Sequence, residues 1–450
     1  MLLYNYSLLT FDIYFTNNMN DSSSQAADEE NSGGDTKTTN IEAEINLFIK
    51  HINAIGDVLI GLVIAMQELE VNSKKKLTSF EEEHCEDDED DSDVMKVPTL
   101  RYREWKQLRD RYEHIALSRI LLPRSLLVSL ISQYDAYLGR LIKRIVLSKP
   151  EVLNGSEKNL SFATLISFKS ISEAREHILE KEIEGVLRLS HSDQFDWMEK
   201  KFALPLRKDL KSWPSFIELT ERRNLFVHTD GVVSSQYIIS CQNHHYPLDK
   251  DLNEGKRLGV PQEYFEKAHS IILEIGVKLG HVLWRKLFPD EREKADNHLG
   301  EVTFDLIDHG KYDQATNLLD FICEDIKKFY TESHKLMFII NRAQAYKWNG
   351  NEEFCKKIMK REDWSAKDER FQLAEAVLSD NWKKASAIMR RIGNSGKVRK
   401  SHYLHWPLFK EFRRQDEFQK TYAEVFEEEF ANHTEIKNIN SIQETLDETE

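Results

Sequence analysis

The chain has 450 residues, 40% of them hydrophobic, and a formal net charge of −15, with 62 Lys and Arg against 77 Asp and Glu. That length supports two or three domains with real cores, and the charge excludes a chain that is basic throughout. Cys85, Cys241, Cys323 and Cys355 lie too far apart for a disulfide framework or a paired metal-ligand spacing, which points to a reducing cytoplasm.

The opening MLLYNYSLLTFDIYF lacks a basic n-region and carries Asp12 among its apolar residues, so it makes a poor signal peptide. Residues 1–40, polar from residue 16 onward, read as a disordered leader. Residues 41–71 read as one strongly apolar helix, expected to dock on another domain. Its apolar core, Val58 to Met66, is far shorter than the roughly 20 residues needed to cross a bilayer, so no membrane contact is expected. Residues 72–97 read as an acidic linker. The run Glu81 to Asp93 holds ten carboxylates and repels itself; alternatively, such a polyanion mimics a nucleic acid backbone and occupies a basic cleft.

From 98 to 290 the helical period dominates. Tyr134, Leu138, Leu141, Ile142 and Ile145 recur at steps of three and four, and Pro150 ends that helix. Ser170-Ile171-Ser172-Glu173 is a capping box that opens a helix to about Leu189. A motif helix spans 214–228. A polar loop with Pro247 and Gly255 follows, and then a helix whose Ala268, Ile272, Ile275, Leu279 and Val282 form a bundle seam. Residues 101–290 carry 30 Lys and Arg against 25 Asp and Glu, a mildly basic segment that permits phosphate binding. The loop group Cys241, His244, His245 and Asp249 reads as plain loop, because adjacent histidines rarely reach one ion together.

Residues 296–432 read as paired short helices. The turn signals Gly310-Lys311-Tyr312, Asn349-Gly350-Asn351, Ser379-Asp380-Asn381 and Arg414-Gln415-Asp416 fall 39, 30 and 35 residues apart. That spacing, with Ala315 and Ala385 after turns and Ala343, Ala345 and Tyr346 before one, resembles divergent tetratricopeptide repeats, which implies a concave face for a protein partner. Residues 433–450 read as a polar tail.

The chemistry concentrates in WPSFIELTERRNLFVHTDG, residues 213–231. Pro214 suits a first helical turn and Asp230-Gly231 a stop, with Phe216, Ile217, Leu219, Phe226 and Val227 as apolar contacts. Arg223 offers a fixed, always charged fork for phosphate, and His228 an imidazole that moves protons near neutrality. Two other arginines, Arg292 and Arg399, also stand six residues before a histidine, but in highly charged surroundings that read as solvated surface. On a continuous helix Arg223 and His228 lie about 140° apart, whereas Glu221, Asn224 and His228 share a stripe. Convergence therefore needs either a helix that ends before His228 or a second chain. The bland reading has Arg222 and Arg223 paired with Glu218 or Glu221 and His228 capping the helix end.

Arg223-Asn224-Leu225-Phe226-Val227-His228 resembles the hallmark of the HEPN superfamily, an Arg followed four to six residues later by His. Arg222 fits the longer spacing, so which arginine carries the role stays open. The helices SLLVSLISQYDAYLGRLIKRIV and AREHILEKEIEGVLRLS are similar to those that precede the motif in this superfamily. The resemblance implies an all-α chain, a HEPN-like bundle followed by an α-α repeat array, that pairs as a homodimer with a composite cleft. It also implies a metal-independent endoribonuclease, a toxin or antiphage effector, with RNA as substrate. Arg223, His228 and Asn224 would be catalytic, supported by Arg222 and Glu221. The alternative is an inactive RNA-binding or dimerising bundle that serves a repeat scaffold. No Gly-rich phosphate loop, nucleophile elbow or zinc-protease helix occurs, and no cofactor or metal is expected.

Overall fold

A computed structural model describes residues 40–87, 95–155, 160–208 and 210–430. The leader 1–39, the second half of the acidic run (88–94) and the tail from 431 lie outside the described residues. The described chain is all-α; its strands are the two-residue β1 (Glu86–Asp87) and β2 (Met95–Lys96), paired antiparallel. It forms two compact units, taken here in turn, that meet in sequence between Glu291 and Arg292.

In the first unit, α1 (Ile41–His84) and α2 (Tyr102–Ser148) form a long antiparallel hairpin. Their direction follows from the pairs along it: Glu44 accepts from Arg140 Nε (2.8 Å) and Arg144 Nε (2.9 Å), His51 meets Gln133 (2.8 Å), and Glu81 accepts from Trp105 Nε1 (3.0 Å). The helix expected over 41–71 therefore continues to His84, and residues 72–84 are no linker. Ser73, Leu77 and Phe80 keep a buried seam alive through the charged stretch, while Lys74 to Lys76 and Glu82 to Glu83 point outward. The apolar helix docks on the 98–290 segment, with which it forms one compact unit. It packs on α2 and on α8 (Gln262–Leu287) of its own unit.

Close approach explains why that core forms. Phe48 of α1 stacks on Tyr137 of α2, centroids 4.4 Å apart. A methyl on Gly276 of α8 would overlap the Phe48 ring, and one on Gly280 would overlap the Tyr137 hydroxyl, which donates to the Gly276 carbonyl at 3.1 Å. Tyr134, Leu138, Leu141, Ile142 and Ile145 are fully buried, as their spacing predicts. On α8 the seam holds from Ala268 to Leu279, but Val282 is half-buried and Leu283 takes the inner place.

Four-residue α3 (Phe162–Leu165) and α4 (Ile171–Leu187) come next. The Ser170 hydroxyl accepts from Glu173 N at 3.1 Å, and the Glu173 carboxylate reaches back to Lys169 N at 2.6 Å, one residue beyond the usual box. Then come α5 (His191–Phe202), α6 (Trp213–His228) and α7 (Ser235–Asn243). By length and composition α1 and α2 each contain an 18-residue window apolar enough to cross a bilayer, against the sequence expectation. Only 18% and 22% of those windows are buried. Val58, Ile64, Leu69 and Val71 of α1 and Leu117, Ile120 and Leu121 of α2 are exposed.

The second unit is built from helix pairs: α9 (Arg292–Asp308) with α10 (Tyr312–Glu324), α11 (Glu332–Trp348) with α12 (Glu352–Met359), and α13 (Glu369–Leu378) with α14 (Trp382–Ile392). The first three predicted turns fall between partners. Gly310, Gly350 and Asp380 each take a left-handed conformation (φ +71°, +81° and +55°), and Asn351 and Asn381 cap the helices that follow. Lys347 crosses from α11 to the end of α13, bonding the Leu378 carbonyl (2.9 Å) and Asp380. The last pair departs from the pattern. Its first member is α15 (Lys400–His405) followed by two 3-10 turns, because Pro407 cannot donate into a continuing helix, and α16 (Asp416–Phe426) closes the unit.

Candidate functional site

Helix α6 carries every residue singled out by the motif and is continuous through His228, with Thr229 as its C-cap. Of the two routes to convergence, the early helix end is thereby removed. Phe216, Ile217 and Leu219 anchor the helix in the core, whereas Phe226 is only half-buried and Val227 is 49% exposed. The turn after it is tightly specified. Gly231 (φ +81°) donates to the Leu225 carbonyl at 3.0 Å, and a Cβ there would press on Leu258 O and the Phe226 ring, both at 3.0 Å.

The inner face resolves the two arginines. Glu218, 2% exposed, accepts from Arg222 Nε (2.7 Å), Tyr237 Oη (2.7 Å) and Tyr264 Oη (2.8 Å). The Arg222 guanidinium also lies 3.9 Å from the Tyr264 ring centroid and donates to the Gly259 carbonyl at 3.2 Å. Burial opposes its charge, but Tyr264, Glu218 and Tyr237 raise its pKa on balance. Burial and then Glu218 push both tyrosines well up, so they remain donors. Arg222 is thus committed to holding α6, α7 and α8 together, as the bland reading expects for its pairing with Glu218.

Arg223 faces elsewhere. Its Nη2 donates to Asp135 Oδ2 of α2 at 2.8 Å, and its Nη1 to Asn224 Oδ1 at 3.2 Å. Asp135 Oδ1 meets His191 Nε2, at the start of α5, at 2.9 Å. Glu218 and Glu221 are not its partners. Of five guanidinium N–H groups two are engaged, the Nε is buried without a partner, and one N–H remains on each Nη. The side chain is 22% exposed, so an anion can still reach that edge. Asp135 and His191 escaped the motif search. The one available signal was a lone charge in the stretch 125–139 of α2, next to Tyr134.

His228 ends the helix on the far side, exposed and with no hydrogen bond among the described residues. Beside it Asp230 is shared by Arg124 of α2 (3.0 Å) and the exposed Arg257 (2.6 Å). Glu221 turns to α7 and accepts from Ser240 Oγ at 3.2 Å. Asn224 stays with Arg223. Within one chain, then, the structure groups Arg223, Asn224, Asp135 and His191, and leaves Arg222, Glu221 and His228 in three other environments. His228 caps no carbonyl through its ring.

In the loop group, Cys241 is fully buried and its thiol is pushed up to about 12, by burial first and then Glu218. His244 Nδ1 accepts from Trp213 Nε1 at 3.3 Å. Among the described residues no three His, Cys, Asp or Glu side chains are grouped to hold a metal ion. No family model matches this sequence, and no curated protein or solved structure matches it significantly.

Proposed function

We propose that the chain is a metal-independent endoribonuclease of HEPN type that acts as a homodimer in the cytoplasm, with a toxin or antiphage role that rests on analogy alone. The supporting observation is a braced arginine and an unpartnered histidine on one rigid helix. Arg223 is held by Asp135 with one N–H left on each Nη, and His228 stands exposed at the helix end. Because α6 is continuous, the Arg223 of one chain and the His228 of another supply the pair. Leu117, Ile120 and Leu121 lie on the α2 stripe that leads to Arg124, which braces the end of α6 beside exposed Val227. That apolar face suits a second copy.

The ribose 2′-hydroxyl attacks the adjacent phosphorus, the 5′-oxygen leaves, and a 2′,3′-cyclic phosphate forms; DNA lacks the nucleophile. His228 moves the proton, Arg223 stabilises charge on the phosphoryl oxygens, Asn224 and Asp135 orient Arg223, and Arg257 adds positive charge at the rim. A second reading, an RNA-binding bundle without cleavage serving a repeat scaffold, draws on the same ion pair, since Asp135 already neutralises Arg223.

Purified full-length protein incubated with total RNA and excess chelator should release fragments with 2′,3′-cyclic ends. Arg223→Ala and His228→Ala should each slow this by about a hundredfold or more. RNA left equally intact by wild type and variants, in a host that tolerates overexpression, overturns the enzyme; RNA retention without cleavage would leave the second reading.

A further inference from the structure

Toward the end of the hairpin away from the rest of the bundle, an open cleft of about 750 Å³ lies between α1 and α2. Two cross-pairs hold the helices in register around it: Trp105 Nε1 donates to Glu81 at 3.0 Å, and Arg119 meets Glu70 at 3.0 Å. The sequence gives a reason for the gap. Leu77 and Phe80 carry the seam, but Asn72, Ser73 and Ser79 of the same helix bring short polar side chains, and the space beside them stays open.

The charge lining this cleft is unbalanced. Lys75 and Lys76 of α1 and Arg111 of α2 are exposed and have no ion pair among the described residues. The two acids of the lining already have neighbours: Glu104 pairs with Arg101 at 3.7 Å, and Glu83 lies 3.7 Å from His84 Nε2, which also lines the cleft. Positive charge is left in excess. Ser73 points the same way, since it is only 6% exposed, lines the cleft, and has no hydrogen bond from its hydroxyl among the described residues. That donor is open to an oxygen acceptor in the cleft. Three cations spread over two helices do not close on one small ion; they suit a run of phosphates, each contact releasing a counterion. The position fits a long strand. Arg111 precedes Asp135, the brace of Arg223, by 24 residues of one helix, which places the cleft about 36 Å along α2 from that site.

We propose that this cleft holds the phosphate backbone of an RNA strand away from the point of cleavage, with Lys75 and Lys76 on one bank, Arg111 on the other, and the Ser73 hydroxyl donating to a phosphoryl oxygen. Such contacts position a strand and read no sequence. The choice of RNA rests on the ribonuclease reading, whereas the excess of positive charge does not.

The test follows labelled polyuridylate by fluorescence anisotropy on full-length protein carrying His228→Ala, so that the strand stays uncut. Changing Lys75, Lys76 and Arg111 together to Gln should weaken binding at least tenfold and lower the slope of log Kd against log salt by about two. Ser73→Ala should weaken it about threefold. Lys356, Lys357 and Lys360, exposed in the second unit, changed together to Gln remove the same charge and should leave affinity within twofold. No binding of polyuridylate, affinity unchanged in the cleft triple, or an equal loss in the second-unit triple overturns the assignment. A cleft triple that keeps its RNA affinity but loses binding to phosphatidylserine vesicles gives the cleft to lipid headgroups and also overturns it. Failure of the two readings is distinguishable: if wild type cuts no RNA the ribonuclease falls while these affinities still decide the cleft, and if it cuts RNA with affinity unchanged in the triple only the cleft assignment falls.

Discussion

Arg222 gives its Nε to Glu218 and its face to the Tyr264 ring, so truncating it strands a carboxylate in the bundle core. Breaking a buried pair in this way costs about 3–5 kcal/mol. Arg222→Ala and Glu218→Ala should therefore lower the urea midpoint sharply, whereas Arg223→Ala, whose pair with Asp135 is partly open to water, should shift it by about 1 kcal/mol or less. The opposite ranking would mean that Arg223 is the structural arginine and would remove the proposed site. Sequence alone could not separate these neighbours, because both fit the spacing rule. What distinguishes them is 100° of helix rotation, which sends one toward α7 and α8 and the other toward α2. The role of Asp135 was hidden for the same reason, since it comes from contact with a residue 88 positions away and a lone acid in the stretch 125–139 does not name its partner.

At the scale of elements, ends were legible where a side chain does the ending. Ser170 at α4, the Gly350-Asn351 and Asp380-Asn381 turns, and Pro150 after α2 all stop or start helices where their chemistry says. The far end of α1 was not legible, since charge composition suggested solvated chain while Leu77 and Phe80 quietly kept the seam. In the fourth pair the turn at Arg414-Gln415-Asp416 was legible, and the cutting of its first helix at Pro407 was not. Histidines give these elements a pH dependence. His298 of α9 is held down to about 4 by burial, and His402 of α15 to about 4 by burial and then by Arg399, while its Nδ1 accepts the Arg399 N–H at 3.0 Å. With both folded values below the ordinary 6.5, their contribution is present above pH 6.5 and is lost as pH falls toward 4, about 3 kcal/mol for His298. Denaturation midpoints measured from pH 7.5 to 4.5 should fall for wild type and flatten in His298→Asn. A variant that keeps the full slope would show that other groups carry it.

For the whole molecule, 11 of the 19 exposed large apolar residues among the described ones lie between 41 and 121, nine of those on α1 and α2. If a second copy covers the stripe of Leu117 and Ile120, the double change Leu117→Glu with Ile120→Glu should convert a dimer to a monomer in sedimentation and abolish RNA cleavage while the fold persists. Wild type that sediments as a monomer, or that floats with phospholipid vesicles through this stripe, would assign the face differently. The carboxylate of Asp135 has a further effect at this scale. Since it occupies the guanidinium in the resting protein, an isolated chloride or orthophosphate meets a fork whose charge is already balanced and gains little by arriving. On the proposed reading, a chain of phosphates gripped at several points along the surface would bring the further contact needed to share that fork, and the site would favour polymers over the salts of its surroundings.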